Sequence, residues 1–343
     1  MKNAETEQIG LRIKTARLLR GLSMDDLCRM LGGIVSKQMI SNYERSINIP
    51  NPIFLDAITQ VLKLPVDYFS NRNSVIRSIE LRYKGNLSAK EYSQLKSVIQ
   101  TELSSYIDLE KTLCLKNKFL NPISRVPIKS NEDIEKAVDL LRKRWKLTNY
   151  NIPYLCSTLE NEGIRVIEIP YDNDSFDGMC GIVSGIRQPF IAINKHFTTE
   201  RRRFTIAHEL GHILLNIDDT FKDKERPCNY FAGAFLLSRK AIDYELGLRR
   251  TSFTLEELVD IREHYGISIA AIVHRAYDLG IISRKYYDHL YDEHINNNKL
   301  EKGWGDYKLS DIPKRYKLLK ARAVSEGLIP TEYKHKDLNI TIL

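Results

Sequence analysis

The chain has 343 residues, of which 43% are hydrophobic and 28% are charged. These values predict two or three folded units and exclude an intrinsically disordered chain. No apolar run approaches the roughly eighteen residues of a membrane span, and MKNAETEQIG lacks the apolar core of a signal peptide, so we expect a cytoplasmic protein. A net charge of +8 and a pI near 9.0 permit nucleic-acid binding, but a solvated basic surface would give the same values.

The cysteines give no sign of a disulfide framework. They are odd in number and scattered, without any CxxC pair, at Cys28, Cys114, Cys156, Cys180 and Cys228. This usage fits a reducing compartment.

Residues 8–70 have the pattern of short amphipathic helices separated by tight breaks. Gly21 is the predicted stop of the first helix. Ser23 is the predicted N-cap of the second, with Asp26 at the capping-box position.

A third short helix, SKQMISNYE, opens at Ser36 and has an apolar and a polar side. Met39, Ile40 and Tyr43 are predicted to pack inward. A helix that enters the major groove needs polar side chains near its N-terminus, because Gln and Asn pair with adenine edges and Lys with guanine. The alternative is a solvated helix face. The predicted DNA-contacting residues are Ser36, Lys37, Gln38, Ser41 and Asn42.

The pattern SxQxISxYE, followed by a proline, resembles the Xre-type helix-turn-helix of phage repressors over about residues 8–70. This resemblance implies a five-helix domain that binds a double-stranded DNA operator, usually as a homodimer on paired half-sites. Two departures are visible. The turn LGGIVSK is one residue longer than the commonest form, and Ser46 stands where a glycine is usual.

Helical and strand patterns follow this unit. In LKSVIQTELSSYIDLEKTL the apolar residues recur at helical spacing, which predicts a helical connector. A helix from Asn131 to Trp145 is predicted after the N-cap signal SNED. Strands are expected only in RVIEIP (165–170), CGIVSG (180–185) and PFIAIN (189–194).

The segment FTIAHELGHILLN places His208 and His212 four residues apart on one face of a predicted helix. At that spacing both imidazoles can reach one zinc ion, at about 2.0–2.1 Å each. Glu209 lies where a carboxylate can take a proton from water, and Gly211 is expected to leave room next to the metal. HExxH also occurs by chance, so a core helix with two hydrogen-bonded histidines is the competing interpretation.

A catalytic zinc needs a third protein ligand and an open fourth position. Thirteen residues beyond His212, Glu225 opens ERPCNYFAGAFLL, a second helix with an apolar face. We predict Glu225 as the third ligand. Three carboxylates in the intervening loop are rivals that spacing alone does not exclude: Asp218, Asp219 and Asp223.

FDG (176–178), PFIAIN, ERRRFTIAHELGH and ERPCNYFAGAFLL together resemble the ImmA/IrrE zinc peptidases over about residues 131–245. The resemblance implies Zn2+ as cofactor, with His208, His212 and Glu225 as ligands and Glu209 as catalytic base. It also implies a repressor protein as substrate. The rest of the chain looks like the variant in which repressor and peptidase are fused.

Two positions depart from that family. Cys228 stands where the family has alanine, and Ser238 where proline is common. Because Cys228 follows Glu225 by three residues, its thiolate is hypothesised to approach the zinc. The alternative is a buried, inert thiol.

The expected fold is mainly α with a small sheet. It comprises a helix-turn-helix domain at 1–72, a helical connector at 73–130, an α+β zincin-like domain at 131–245 and a helical region at 246–343.

Two functions are compatible with this organisation. The first is a DNA-binding regulator whose zinc peptidase cleaves a repressor protein, either a partner or its own connector, in response to a signal. The second is a non-hydrolytic, antitoxin-like repressor whose zinc domain senses a ligand or binds a partner.

Overall fold

The structure is a computed structural model that describes residues 4–64, 68–69, 79–82, 87–116, 118–184, 186–219 and 221–329. Over these ranges the chain is mainly helical with a small four-stranded sheet, as the sequence predicts, and it has a second, two-stranded sheet. All five cysteines are free. No helix within the described ranges is long and apolar enough to cross a membrane.

The N-terminal unit is built from four short helices around one apolar core. They are α1 (Ala4–Leu19), α2 (Met24–Met30), α3 (Lys37–Glu44) and α4 (Pro52–Val61). The predicted capping box between Ser23 and Asp26 is present, and Ser36 caps α3. A fifth helix of this unit would fall partly on residues outside the description.

Glu44, the last residue of SxQxISxYE, links α3 to α1 through a buried ion pair. Arg17 Nε and Nη2 donate to its two carboxylate oxygens at 2.6 and 2.8 Å, and Arg17 Nη1 donates to the Leu22 carbonyl at 2.7 Å. Both side chains are buried. The motif's glutamate therefore holds α3 in place, since a bidentate guanidinium–carboxylate pair fixes orientation as well as distance.

Left-handed backbone conformations mark the turns on either side of α3. Gly32 and Gly33, in the turn with one extra residue, have φ values of +62° and +78°. Ser46, at the usual glycine position, has φ of +56°. A side chain is strained in this conformation, whereas glycine adopts it freely.

We expect Ser46→Gly to stabilise the N-terminal unit by about 0.5–1 kcal/mol, because glycine adopts the left-handed backbone conformation at this position without strain. The matched change Gly32→Ala introduces that strain and should cost about 1 kcal/mol. Hydrogen exchange of the amides in α1–α4 of the full chain measures both. Stability changes of the same sign in both variants would contradict the proposed strain at Ser46.

The connector contains a strand as well as a helix. Its helix α5 (Ala89–Thr112) is preceded by strand β1 (Ile79–Arg82), which pairs antiparallel with a strand about one hundred residues later. The expectation that strands occur only in 165–194 is therefore wrong. The segment IELR is short, and its partner is distant in sequence, so local pattern does not reveal the pairing.

Helix α5 lies between the N-terminal unit and the rest of the chain. Gln94 Nε2 donates to the Leu19 carbonyl at 3.0 Å, and Ser97 Oγ donates to the Thr15 carbonyl at 3.2 Å. Near its other end, Glu110 forms a buried ion pair with Arg165 at 2.5 Å. The connector thus packs against both halves of the molecule.

The main sheet has the order β1-β4-β5-β3, with β3 (Arg165–Ile169), β4 (Gly178–Val183) and β5 (Gln188–Asn194) close to the predicted strands. Within this sheet β3 and β5 pair in parallel, and the other two pairs are antiparallel. A second sheet consists of the two-residue strands β2 (Pro127–Ile128) and β6 (Asn216–Ile217).

The remaining helices cover the main sheet and extend its core. Helix α5 and the last helix share a core with one face of the sheet, while the helix that carries HELGH packs on the other face. The helices are α6 (Asn131–Arg144), α7 (Leu155–Asn161), α8 (Thr199–Leu214), α9 (Glu225–Leu236), α10 (Arg239–Leu246), α11 (Leu255–Tyr265), α12 (Ile269–Asp278), α13 (Arg284–Leu290) and α14 (Arg315–Ser325).

The segment between α13 and α14 is anchored by two buried carboxylates. Glu301 accepts from the backbone N–H of Ile269 and Ala270 at the start of α12, at 3.0 and 2.9 Å. Asp311 accepts from the N–H of Cys156 at 2.9 Å and pairs with Arg203, whose side chain is 0% exposed. Through the Asp311–Arg203 ion pair, this segment therefore holds α8 in position.

We expect Asp311→Asn to destabilise the chain by about 3–5 kcal/mol, because it leaves the Arg203 charge buried without its partner. Asp306→Asn is the matched control on the same segment, since its carboxylate is 92% exposed and 3.7 Å from Arg262; it should change stability by less than about 1 kcal/mol. Chemical denaturation of both variants checks this. Equal losses would contradict the role of Asp311.

Candidate metal centre and nucleic-acid interface

The two histidines of HELGH lie together on the side of α8 that faces α9. Thr198 caps this helix, and its side chain accepts from the N–H of Arg201. The Nε2 atoms of His208 and His212 are 3.1 Å apart. The i, i+4 spacing therefore places both imidazoles as predicted.

Glu225, at the start of α9, completes a group of three. Its Oε2 lies 3.1 Å from His208 Nε2 and 3.3 Å from His212 Nε2. One ligand atom from each residue falls within 4.8 Å of the others, and this is the only such group of His, Cys, Asp and Glu in the described part of the chain. Two imidazole nitrogens and a carboxylate oxygen are donors suited to zinc.

The rival carboxylates of the loop lie outside this group. Asp223 Oδ1 accepts from the backbone N–H of Glu225 at 3.0 Å. Asp219 is fully exposed and 3.7 Å from Lys224. Asp223 thus helps to place the first residue of α9.

The second nitrogen of each imidazole has its own neighbour. Asn229 Oδ1 lies 2.8 Å from His208 Nδ1 and can only accept, so this nitrogen carries the hydrogen and Nε2 is left with its lone pair toward Glu225. On His212, Cys228 Sγ lies 3.4 Å from Nδ1. The residues after Glu225 thus orient both rings.

The hypothesis that Cys228 approaches the metal is not supported. Its thiol is 0% exposed, lies outside the ligand group and contacts the His212 nitrogen that faces away from Glu225. The alternative of a buried thiol describes it better.

Gly211 serves the contact between α8 and α9. A Cβ at this position would lie 3.3 Å from Cys228 Cα and 3.2 Å from Phe231 Cδ1. The expectation that it leaves room next to the metal is therefore wrong. A small residue at 228 fits the same close contact.

Glu209 points from α8 toward β4 and is almost fully buried. Burial raises the pKa of its carboxyl to about 7, hydrogen bonds from Cys180 oppose the shift, and the charge of Glu225 adds to it. Its Oε2 has no hydrogen-bond partner among the described residues. Such a carboxyl can exchange a proton near neutral pH.

A cavity of about 830 Å³ opens in front of these residues. His208, Glu209, His212 and Glu225 all line it, together with Leu81 of β1. This volume lies in the range of substrate-binding clefts.

The predicted DNA-contacting residues occupy one side of α3. Lys37 and Gln38 are exposed, and Lys37 Nζ pairs with Asp25 at 2.7 Å. Gln38 Nε2 donates to Asn42 Oδ1 at 3.2 Å, while Ser41 and Asn42 are half-buried.

The N-cap residue Ser36 and Met39 lie at the N-terminal end of α3. The Ser36 hydroxyl accepts from the Met39 N–H as the cap of the helix. Met39 itself is 37% exposed, so the prediction that it packs inward is wrong, whereas Ile40 and Tyr43 are buried as predicted.

Comparison with family models finds two matches along the chain. Residues 13–69 match the helix-turn-helix family, and residues 159–277 match the M78 peptidase family, described as the IrrE N-terminal-like domain. The two matches follow one another along one chain, as the resemblances to a helix-turn-helix domain and to an IrrE-like peptidase domain predict. No curated protein matches it.

The IrrE-like match spans α8 and α9 and so includes every residue of the metal-ligand group. The helix-turn-helix match includes α3. One region of the chain thus matches a DNA-binding helix-turn-helix domain, and a later region matches a peptidase-family domain.

Sequence reasoning missed Asn229. The available signal was its position four residues after Glu225, on the same side of α9. Nothing in the sequence indicated which histidine nitrogen it would meet.

We expect Asn229→Ala to lower metal affinity about 10–100-fold, because His208 loses the acceptor that fixes its ring and tautomer. Asn229→Asp, which keeps an acceptor oxygen, should retain most of the affinity. Competition with a chromogenic chelator measures this, with Asn216→Ala, on the wall of the same cavity, as the control. Unchanged affinity in Asn229→Ala would contradict the orienting role.

Proposed function

We propose that this protein is a DNA-binding regulator whose IrrE-like domain is a zinc-dependent endopeptidase. Its substrate is a repressor protein, either a partner or the connector of this chain, and cleavage follows a signal. The observation that carries the proposal is the convergence of His208, His212 and Glu225 beside the buried carboxyl of Glu209, in one cavity.

The donor set supports zinc as the cofactor. His208, His212 and Glu225 would hold the ion, since two imidazoles and one carboxylate are a ligand set of catalytic zinc sites. Bound zinc supplies Lewis acidity, which polarises a peptide carbonyl and lowers the pKa of water.

The residues around the ligands supply the rest of the chemistry. Glu209 accepts a proton from water and returns it to the leaving amine, a role that suits a buried carboxyl with a pKa of about 7. Asn229 keeps the His208 ring in its orientation.

Cleavage of the connector would change operator binding. Helix α5 contacts α1 of the DNA-binding domain and the sheet of the IrrE-like domain. If the protein binds paired half-sites as a homodimer, a cut within about residues 71–130 separates the DNA reader from the rest of the dimer. Operator affinity then falls, because the second half-site is no longer bound within one molecule.

Glu209→Gln should keep about one zinc ion per chain, because the ligands are unchanged, and should abolish cleavage. Metal analysis and mass spectrometry of the full chain, alone and with repressors encoded beside it, measure the two properties. His208→Ala is the control that should lose both.

A zinc-loaded wild-type chain that cuts neither itself nor those repressors would contradict the peptidase. If regulation of the target promoter also survived Glu209→Gln unaltered, the zinc domain would act as a non-hydrolytic sensor or binding domain.

On the DNA side, we expect Gln38→Ala and Asn42→Ala each to cost about 1–3 kcal/mol in operator binding and to relax specificity at one base pair. The operator is obtained by selection from a random duplex library, and affinity by titration at fixed salt. Lys308→Ala, an exposed cation outside the DNA-binding domain, is the control. Equal effects on specific and random DNA would contradict base contact.

A further inference from the structure

A junction of buried polar side chains joins the C-terminal helix α14 to the rest of the molecule. Glu160, near the end of α7, is 5% exposed. Its Oε2 accepts from the backbone N–H groups of Lys314 and Arg315, at 3.4 and 3.2 Å, where α14 begins. Because α14 has no side-chain cap of its own, this carboxyl from α7 caps it.

The connector helix α5 closes the junction from the other side. Its Tyr106 ring packs on the Tyr316 ring of α14, with the two centroids 5.4 Å apart. One turn further along α5, Glu110 pairs with Arg165 of β3, whose guanidinium lies over the Tyr106 ring. The junction thus brings together α5, α7, α14 and β3.

The hydrogen bonds of this junction are incomplete. Each of its elements contributes a buried atom that has no hydrogen-bond partner within the described ranges: Tyr106 Oη, Glu110 Oε1, Glu160 Oε1, Arg165 Nη1 and Arg315 Nε. Such atoms lose their hydration on burial without a compensating hydrogen bond, which weakens the packing around them. The junction therefore holds α14 less firmly than a fully satisfied contact would.

The protonation of Glu160 depends on this burial. Burial raises the pKa of its carboxyl to about 7, while the N–H groups of Arg315 and Lys314, the Arg315 charge and the nearby Tyr106 hydroxyl oppose the shift. Burial and the charges of Glu160 and Glu110 in turn raise the pKa of the Tyr106 hydroxyl, which therefore stays neutral.

The other ionisable groups on the elements around α7 have partners of their own. Burial and the neighbouring Asp311 raise the pKa of the Cys156 thiol on α7, so this thiol also stays neutral. The remaining contacts are Glu110 with Arg165, Asp311 with Arg203, Glu168 with Arg202, and the Lys314 ammonium over the Tyr154 ring.

We propose that Glu160 is a proton-controlled latch for the C-terminal helix: its neutral form keeps α14 docked on the connector, and its ionisation loosens α14 and uncovers that face of α5. The latch needs neither a bound metal nor hydrolysis, so it is a property of the chain beyond the proposed function.

The direction of the pH effect follows from the two states of Glu160. When α14 leaves, the carboxyl meets water and its pKa returns to the ordinary value of 4.5. A carboxyl whose pKa is higher in the docked state takes up a proton on docking. Docking therefore weakens as the pH rises between these two values, by about tenfold per pH unit, and levels off above the higher one.

Hydrogen exchange of the full chain between about pH 5 and pH 8 tests the latch. After division by the exchange rates of unstructured peptides, the protection of the α14 amides should fall about tenfold per pH unit up to about pH 7. Glu160→Gln keeps an acceptor oxygen for the N–H groups of Lys314 and Arg315 but cannot ionise, so its α14 protection should not change with pH. Glu326→Gln, at the other end of α14 with a side chain that is 43% exposed, should behave like the wild type.

Equal pH slopes in the wild type and in Glu160→Gln would overturn the proposal, and so would a wild-type α14 protection that does not change with pH.

Carbon NMR of the glutamate carboxyls gives a second reading if Glu160→Gln does not fold. It is measured on the Glu209→Gln chain, because this change removes a second carboxyl with a pKa of about 7. One glutamate should still titrate near pH 7. Adding Leu319→Asp, at a side chain of α14 that is 8% exposed, should undock the helix and lower that midpoint toward the ordinary range. A midpoint that stays near 7 in this variant, or the absence of such a glutamate before it, would overturn the latch.

Discussion

The candidate metal centre depends on the close contact of α8 and α9. The helices approach at Gly211, where any side chain would meet Cys228 and Phe231. That approach brings the Glu225 carboxylate to both imidazoles. A cation between these groups would stabilise the contact further, because it replaces the solvation that they lose there.

Two buried ion pairs hold α8 and α9 in position. Arg275 of α12 donates to both carboxylate oxygens of Glu135 at 2.6 and 2.9 Å and, through Nε, to the Leu237 carbonyl at the end of α9. In the same way, the buried ion pair of Arg203 with Asp311 holds α8 against the segment that precedes α14. Because each buried charge has its partner, the pairs fix the orientation of the helices without leaving an uncompensated charge.

Local patterns predicted much of this structure. N-caps such as Ser23 and Ser130 start their helices where the sequence indicated, and Glu225 lies beside the histidines as its spacing suggested. The errors concern contacts between distant segments. The pairing of β1 with β4, the neighbours of Gly211 and the partner of Asn229 depend on how elements pack, which periodicity and capping signals do not encode.

We propose that Glu225, rather than a loop aspartate, joins the two histidines as metal ligand. Zinc content after dialysis tests this assignment, on Glu225→Gln and on a triple variant with asparagine at Asp218, Asp219 and Asp223. The triple variant should keep about one zinc ion per chain, and Glu225→Gln should lose it. Zinc retained by Glu225→Gln and lost by the triple variant would contradict it.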